Sequence, residues 1–121
     1  MNYIGVDIIE IVRIQRAIDR WGERFLHRIY TEQELRLCHE KAARLATRFA
    51  GKEAVMKAFG TGTRGISWEE IEILNEPSGK PLIHLHGKAQ EKAEYLGLER
   101  LDISLSDSKE YAVAFVIGEM K

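Results

Sequence analysis

Apolar positions recur along this chain at spacings that change several times, and each change marks an element. Asn2 to Ile9 is short and β-branched, with Asp7 near its end, and predicts a strand. Ile11, Ile14, Ile18, Trp21 and Phe25 follow at three- and four-residue spacing, which predicts an amphipathic helix bent or interrupted at Gly22. Thr31 and Glu34 match a capping box, with Thr31 as N-cap and Glu34 reaching back, so a new helix begins there. It leads, with a break near His39, into a helix that ends before Gly60-Thr-Gly62. Ile71 and Ile73 alternate with Glu70 and Glu72 in the manner of a half-exposed strand; Glu76-Pro-Ser-Gly79 is a turn, and Leu82 to His86 is the returning partner. Lys88 to Leu96 reads as a helix closed by Gly97. Asp102–Ser106 and Tyr111–Ile117 read as two further strands. Strands arranged in hairpins imply the α+β class, with a largely antiparallel sheet packed against a long buried helix.

That helix carries the strongest chemical signal. From Leu45 to Phe59 apolar and alanine positions fall nearly all round a 3.6-residue period, so it should be buried on most sides. Yet Arg48, Lys52, Glu53 and Lys57 lie within it, and charges enter a buried helix only when paired or coordinated. Glu53 and Lys57 form an i,i+4 pair in the favourable order, and Arg48 lies one turn before Lys52. A carboxylate and several cations on one rigid element suit a metal ion and phosphates. The competing reading is a helix tied into the core by ion pairs.

Composition narrows the class. At 121 residues the chain is expected to be one domain, 1–121, and its 45% hydrophobic and 31% charged content is that of an ordinary globular protein rather than a disordered one. The net charge of −1 gives no global attraction to nucleic acid or membrane, so electrostatic recognition must come from a local patch. A single cysteine, Cys38, allows neither an internal disulfide nor a cysteine metal cluster. The first residues lack the basic start of a signal peptide, and the expected location is the cytoplasm.

Other residues invite chemistry with less specificity. Asp7 ends an apolar strand where the chain turns into a helix; with Glu53 it would supply two carboxylates, which is what Mg²⁺ asks of a protein when phosphates and waters complete its shell. Arg13, Arg16, Arg20, Arg24 and Arg28 are spaced to form a cationic stripe if the helix runs through Gly22, and an acidic protein partner suits it better than nucleic acid. His84 and His86 share one side of a strand but lack an obvious third ligand for zinc. Cys38 and His39 are adjacent on a helix and point about 100° apart, which fails a nucleophile–base pair. Gly60-Thr-Gly62 could approach a phosphate but is first a helix stop, and Ser104 to Ser108 offers hydroxyls in a strand-to-strand turn.

Together these segments resemble the holo-acyl-carrier-protein synthase family of small bacterial 4′-phosphopantetheinyl transferases. The resemblance rests on Gly5-Val-Asp7 with Glu10-Ile-Val-Arg13-Ile, on Arg48-Phe-Ala-Gly-Lys-Glu-Ala-Val-Met-Lys-Ala-Phe-Gly-Thr-Gly62, on Gly79-Lys-Pro81, and on Ser104-Leu-Ser-Asp-Ser-Lys-Glu-Tyr-Ala112. It implies transfer of 4′-phosphopantetheine from coenzyme A to a serine of apo-acyl carrier protein, releasing adenosine 3′,5′-bisphosphate, in fatty acid biosynthesis. It implies Mg²⁺ on Asp7 and Glu53, and Lys57 on the pyrophosphate. Arg48 and the Asp107 turn would lie near the 3′-phosphate and adenosine end. Gly60, Lys80 and Pro81 would also contact coenzyme A. Asp107 falls where many members carry histidine, which shifts direct phosphate contact to Ser106 and Ser108. Glu53 or a metal-held water would take the serine proton. Arg13, Arg20 and Arg24 would grip the acidic carrier protein. The family implies a homotrimer with sites at subunit interfaces, and Val113, Phe115 and Ile117 offer an apolar sheet face for it. The competing classes are a non-enzymatic oligomer that docks an acidic partner, and a zinc hydrolase using His84 and His86.

Overall fold

Every layer of the molecule packs on helix α4 (Ala42–Phe59), whose residues from Leu45 to Ala58 are buried except at Phe49, Glu53, Met56 and Lys57. The structure, a computed structural model, describes residues 2–120. Strand β1 (Asn2–Glu10) opens the chain, followed by α1 (Ile11–Trp21), α2 (Glu23–Ile29) and α3 (Glu32–Cys38) before α4. A 3₁₀ turn at Trp68–Glu70 leads to β2 (Ile71–Asn75), β3 (Pro81–Leu85), α5 (Gly87–Tyr95), β4 (Leu98–Asp107) and β5 (Tyr111–Met120). The α+β class expected from the pattern is the class observed, with every strand pairing antiparallel. The strands divide between a three-stranded sheet, β1-β5-β4, and a separate hairpin, β2-β3.

The inner face of the larger sheet lies on α4 through Gly5, Ile9, Ile103, Ala112, Ala114 and Val116, all buried. Small residues on both sides let strand and helix approach closely. A Cβ on Gly5 would run into the Ala54 carbonyl, so no other residue fits there without moving β1. The outer face carries Ile4, Val6, Ile8 and Phe115, which are 58%, 52%, 61% and 44% exposed. Val113 and Ile117 lie beside them opposite Ile8 and Ile4, half-buried.

Gly22 adopts φ 54° and splits the predicted amphipathic helix into α1 and α2. The capping box forms as expected: Thr31 Oγ1 accepts from the Glu34 N–H at 3.1 Å, and Glu34 Oε1 accepts from the Thr31 N–H at 3.0 Å. Glu34 goes further than a cap. Fully buried, it also accepts from Lys52 Nζ at 2.8 Å and from the Ile73 N–H at 2.8 Å. Lys52 spends its other two protons on the carbonyls of Trp68 and Ile71, at 3.1 and 2.6 Å. Burial lowers the Lys52 pKa, and Glu34 opposes that shift. The expected Glu53–Lys57 pair does not form, because Lys57 turns instead toward Asp7 on β1.

The second hairpin also departs from expectation. Glu70 belongs to the 3₁₀ turn, and Glu72, expected on an exposed face, is buried. Its carboxylate accepts from Thr31 Oγ1 at 2.6 Å and contacts His86 Nε2 at 3.0 Å. Alternation failed as a guide because β2 is covered by α4 and also by α3.

Glu72 makes stability depend on acid. Burial raises its carboxyl pKa, but the bonds from Thr31 and His86 outweigh this and set it below the ordinary 4.5. A carboxyl depressed in the folded state stabilises above its unfolded value, and that contribution is lost as pH falls through the folded one. Urea midpoints of the wild type should therefore drop below about pH 4.5, and Glu72→Gln should be less stable at pH 7 with a flatter acid limb. Parallel acid limbs for the two proteins would contradict this account.

Candidate active site

Alternation along β1 puts Gly5, Asp7 and Ile9 on the face toward α4. Asp7 was expected at the strand end, but β1 continues to Glu10 and Asp7 pairs with Ala114 of β5. Pairing with β5 holds its backbone, and its side chain is 14% exposed. Lys57 Nζ donates to Asp7 Oδ1 at 2.8 Å and to the Val6 carbonyl at 3.2 Å. The bond to Asp7 raises the Lys57 pKa, so this ammonium stays charged.

Glu53 stands one turn before Lys57 and is half-buried. Burial raises its carboxyl pKa, the negative charge of Asp7 raises it further, and Lys57 lowers it less. Asp7 and Glu53 therefore meet in space, each within range of the other's charge. Two carboxylates that destabilise one another are a fitting donor set for a divalent cation, which would relieve that repulsion. Gly60, at φ 80°, ends α4 just beyond and returns its N–H to Met56 and Lys57.

A second group of candidates gathers elsewhere. Arg48 is 8% exposed; its Nη1 donates to Thr47 Oγ1 at 3.1 Å and its Nη2 to Asn75 Oδ1 at 2.8 Å, while the buried Nε–H finds no partner. With Arg44, Thr47, Leu105, Ser106 and Asp107 it lines a cleft of about 240 Å³. Ser108 lies past the cleft, its hydroxyl accepting from the Tyr111 N–H at 3.2 Å to close the β4–β5 turn. Lys80 and Pro81 sit at the far end of the β2–β3 hairpin, whose Asn75 is bonded to Arg48. The two groups do not share a face of α4. At 100° per residue, Glu53 lies about 140° and Lys57 about 180° around the helix from Arg48.

The arginine row is real but not continuous. Arg13, Arg16 and Arg20 ride on α1, and the Gly22 break redirects Arg24 and Arg28 onto α2. All five are exposed, and among the described residues none forms an ion pair with a carboxylate. Arg20 lies over the Trp21 ring at 4.9 Å. Arg24 and Arg28 border a cleft of about 450 Å³ floored by Trp21, Phe25, Phe49 and Trp68, where Phe49 and Trp68 stack at 5.2 Å. Sequence reasoning missed this aromatic cleft and also Arg44, Thr47 and Asn75. Phe49 carried a signal, standing one turn before Glu53 on the same side of α4.

The remaining candidates resolve into structure. His86 is engaged by Glu72, His84 is exposed, and among the described residues no three His, Cys, Asp or Glu side chains converge on a common point. Cys38 is fully buried, and burial pushes its thiol up to about 11, out of the nucleophile range.

Comparison with known proteins gives the family. Residues 3–116 match the family model of the 4′-phosphopantetheinyl transferase superfamily. The chain is 49% identical to the holo-[acyl-carrier-protein] synthase of Herpetosiphon aurantiacus, covering 98% of each chain, and 50% identical to that of Dehalococcoides mccartyi strain CBDB1, covering 98% of this chain and 99% of that one. Among solved structures it superposes on the Helicobacter pylori synthase in complex with coenzyme A with TM-score 0.87 at 35% identity, covering 96% of this chain and 99% of that one. The Neisseria meningitidis synthase gives TM-score 0.88 at 37% identity, with 97% of each chain covered.

The unpaired guanidinium of Arg48 makes a stability prediction. A buried cation held only by neutral partners costs desolvation that no counter-charge offsets. Arg48→Met, of comparable length and without charge, should leave the thermal midpoint of the ligand-free protein unchanged or higher, while weakening any anion binding in the cleft. A loss above about 2 kcal/mol would show that the charge stabilises the fold.

Proposed function

The chain belongs to the 4′-phosphopantetheinyl transferase superfamily, and from that membership we propose that it moves 4′-phosphopantetheine from coenzyme A to a serine of apo-acyl carrier protein. As a phosphopantetheinyl transferase it is an enzyme; the acceptor, the released adenosine 3′,5′-bisphosphate, the Mg²⁺ requirement and the service to fatty acid biosynthesis are our reading. The observation that carries it is the convergence of Asp7, Glu53 and Lys57 across the β1–α4 contact. A silent binding module has no use for two repelling carboxylates beside a lysine.

Asp7 and Glu53 would hold Mg²⁺, which supplies neutralisation of the diphosphate when bound. Lys57, anchored through Asp7 and 54% exposed, presents its ammonium to the diphosphate and offsets charge on the departing phosphate. The serine oxygen forms the new bond to the β-phosphorus as the bond to the bridging oxygen breaks, and the electron pair leaves on adenosine 3′,5′-bisphosphate. The serine proton passes to Glu53 or to a water beside it. Gly60 closes the diphosphate end. Arg48, with Ser106 and Asp107 on its cleft wall and Lys80 and Pro81 on the adjoining hairpin, takes the 3′-phosphate and adenosine end. Ser108 shapes the turn that presents them.

A homotrimer joins the two groups. Since they occupy opposite sides of α4, one chain cannot bring both to a single small molecule; a neighbour can. The exposed sheet face of Ile4, Val6, Ile8 and Phe115 supports such an assembly. Arg13, Arg20 and Arg24 dock the acidic carrier protein, and the aromatic cleft beside Arg24 offers an apolar anchor for it. No described helix is long and apolar enough to cross a membrane, and we assign the enzyme to the cytoplasm, with neither membrane nor nucleic acid as partner.

Incubation with apo-carrier protein, coenzyme A and Mg²⁺ should raise the carrier mass by one phosphopantetheine group; an unmodified carrier refutes the reading. Asp7→Asn and Glu53→Gln should each cut turnover by about a hundredfold or more with the circular dichroism spectrum unchanged. Near-normal rates at saturating Mg²⁺ would remove both from the metal.

Native mass spectrometry should find three chains together at micromolar concentration. Phe115→Asp should dissociate them and lose activity in parallel. A fully active monomer would overturn the shared site.

A further inference from the structure

The Arg48 cleft contains a permanent cation that forms no ion pair among the described residues, although Asp107 stands on the wall of the same cleft. Arginine keeps its proton at any working pH, and among the described residues no carboxylate lies within ion-pairing distance of Arg48. Of its five N–H groups, one is taken by Thr47 and one by Asn75, and the buried Nε–H is left without a partner. Both partners are neutral. The Thr47 hydroxyl donates its own proton to the Arg44 carbonyl at 2.7 Å, so only a lone pair remains to face Arg48. Asn75 must likewise present its carboxamide oxygen, since arginine offers nothing but donors.

We infer that Asn75 is a positioning residue for phosphate binding, holding the Arg48 guanidinium in place without cancelling its charge. A carboxylate at this position would form a bidentate pair with the guanidinium and occupy the donors that a phosphate needs. An amide accepts one hydrogen bond and leaves the charge to the ligand. Position matters as much as chemistry. Asn75 ends β2 opposite Pro81, and the next residue, Glu76, donates its N–H to the Lys80 carbonyl at 2.8 Å. One hydrogen bond, 27 residues apart in sequence, thus fixes the arginine and moors the Lys80–Pro81 turn beside it. Arg44, on the same cleft wall, supplies a second cation.

This inference rests on the reading above only in taking the cleft for a phosphate site, and its test needs no turnover. Isothermal titration calorimetry of the full chain with adenosine 3′,5′-bisphosphate should show Asn75→Ala weakening binding about fivefold and Asn75→Asp by more than about tenfold. In an Arg48→Ala background, Asn75→Ala should produce no further loss, because residues acting through one contact are not additive. Unchanged affinity in both single variants would overturn the assignment, as would an equal loss with and without Arg48, which marks a merely structural role. No binding by the wild type would also overturn it. Should the wild type fail to modify a carrier protein and yet show this binding pattern, the transferase reading falls and the role of Asn75 stands.

Discussion

The buried contact between Glu34 and Lys52 is the constraint on which the rest of the structure depends. Neither charge could be left in the core alone, because desolvation would cost several kcal/mol per ion. Each is instead saturated by groups from different elements: the cap of α3, the body of α4, the 3₁₀ turn and the first residues of β2. A single polar knot thereby fixes the rotation of α4 about its own axis. Lys52 pointing inward forces Glu53 outward toward β1, and four residues later Lys57 follows it to Asp7.

Rotation of that helix then distributes function. Residues near one azimuth of α4 meet β1 and form the carboxylate cluster; those nearly opposite meet β4 and the hairpin and form the Arg48 cleft. Alanines and glycines fill the azimuths between, so the helix lies tight against the larger sheet and both sites inherit its rigidity. The sheet protects only its inner face. Its outer face is left apolar, and a neighbouring copy seated there, as proposed above, would bring the two groups together.

Much of this was legible in the sequence because it follows short-range rules. Spacing located the helices, Gly22 and the Thr31 cap behaved as their chemistry requires, and the charged helix pointed to the candidate site. What the sequence hid was mostly long-range. Glu53 and Lys57 sit at ideal helical spacing, yet Lys57 prefers Asp7, fifty residues away, because β1 passes over it. Glu72 looked solvated because alternation cannot report that a second layer covers the other face. Asn75 carried no signal of its own, since only the fold brings it to Arg48. The arginine row was legible as charge but not as shape, because its direction changes where Gly22 leaves the helical region.

Gly5 performs no chemistry, donates to no ligand and carries no charge, yet it stands two residues from Asp7 where the strand touches the Ala54 backbone. Its missing side chain acts as a spacer gauge, setting how far the Asp7 carboxylate stands from Glu53 and Lys57. In a genetic screen scored by growth, such a position would be as intolerant of change as the carboxylates themselves. Mutational sensitivity would therefore draw a larger active site than the one that touches substrate, with its boundary set by contact distance rather than by reactivity.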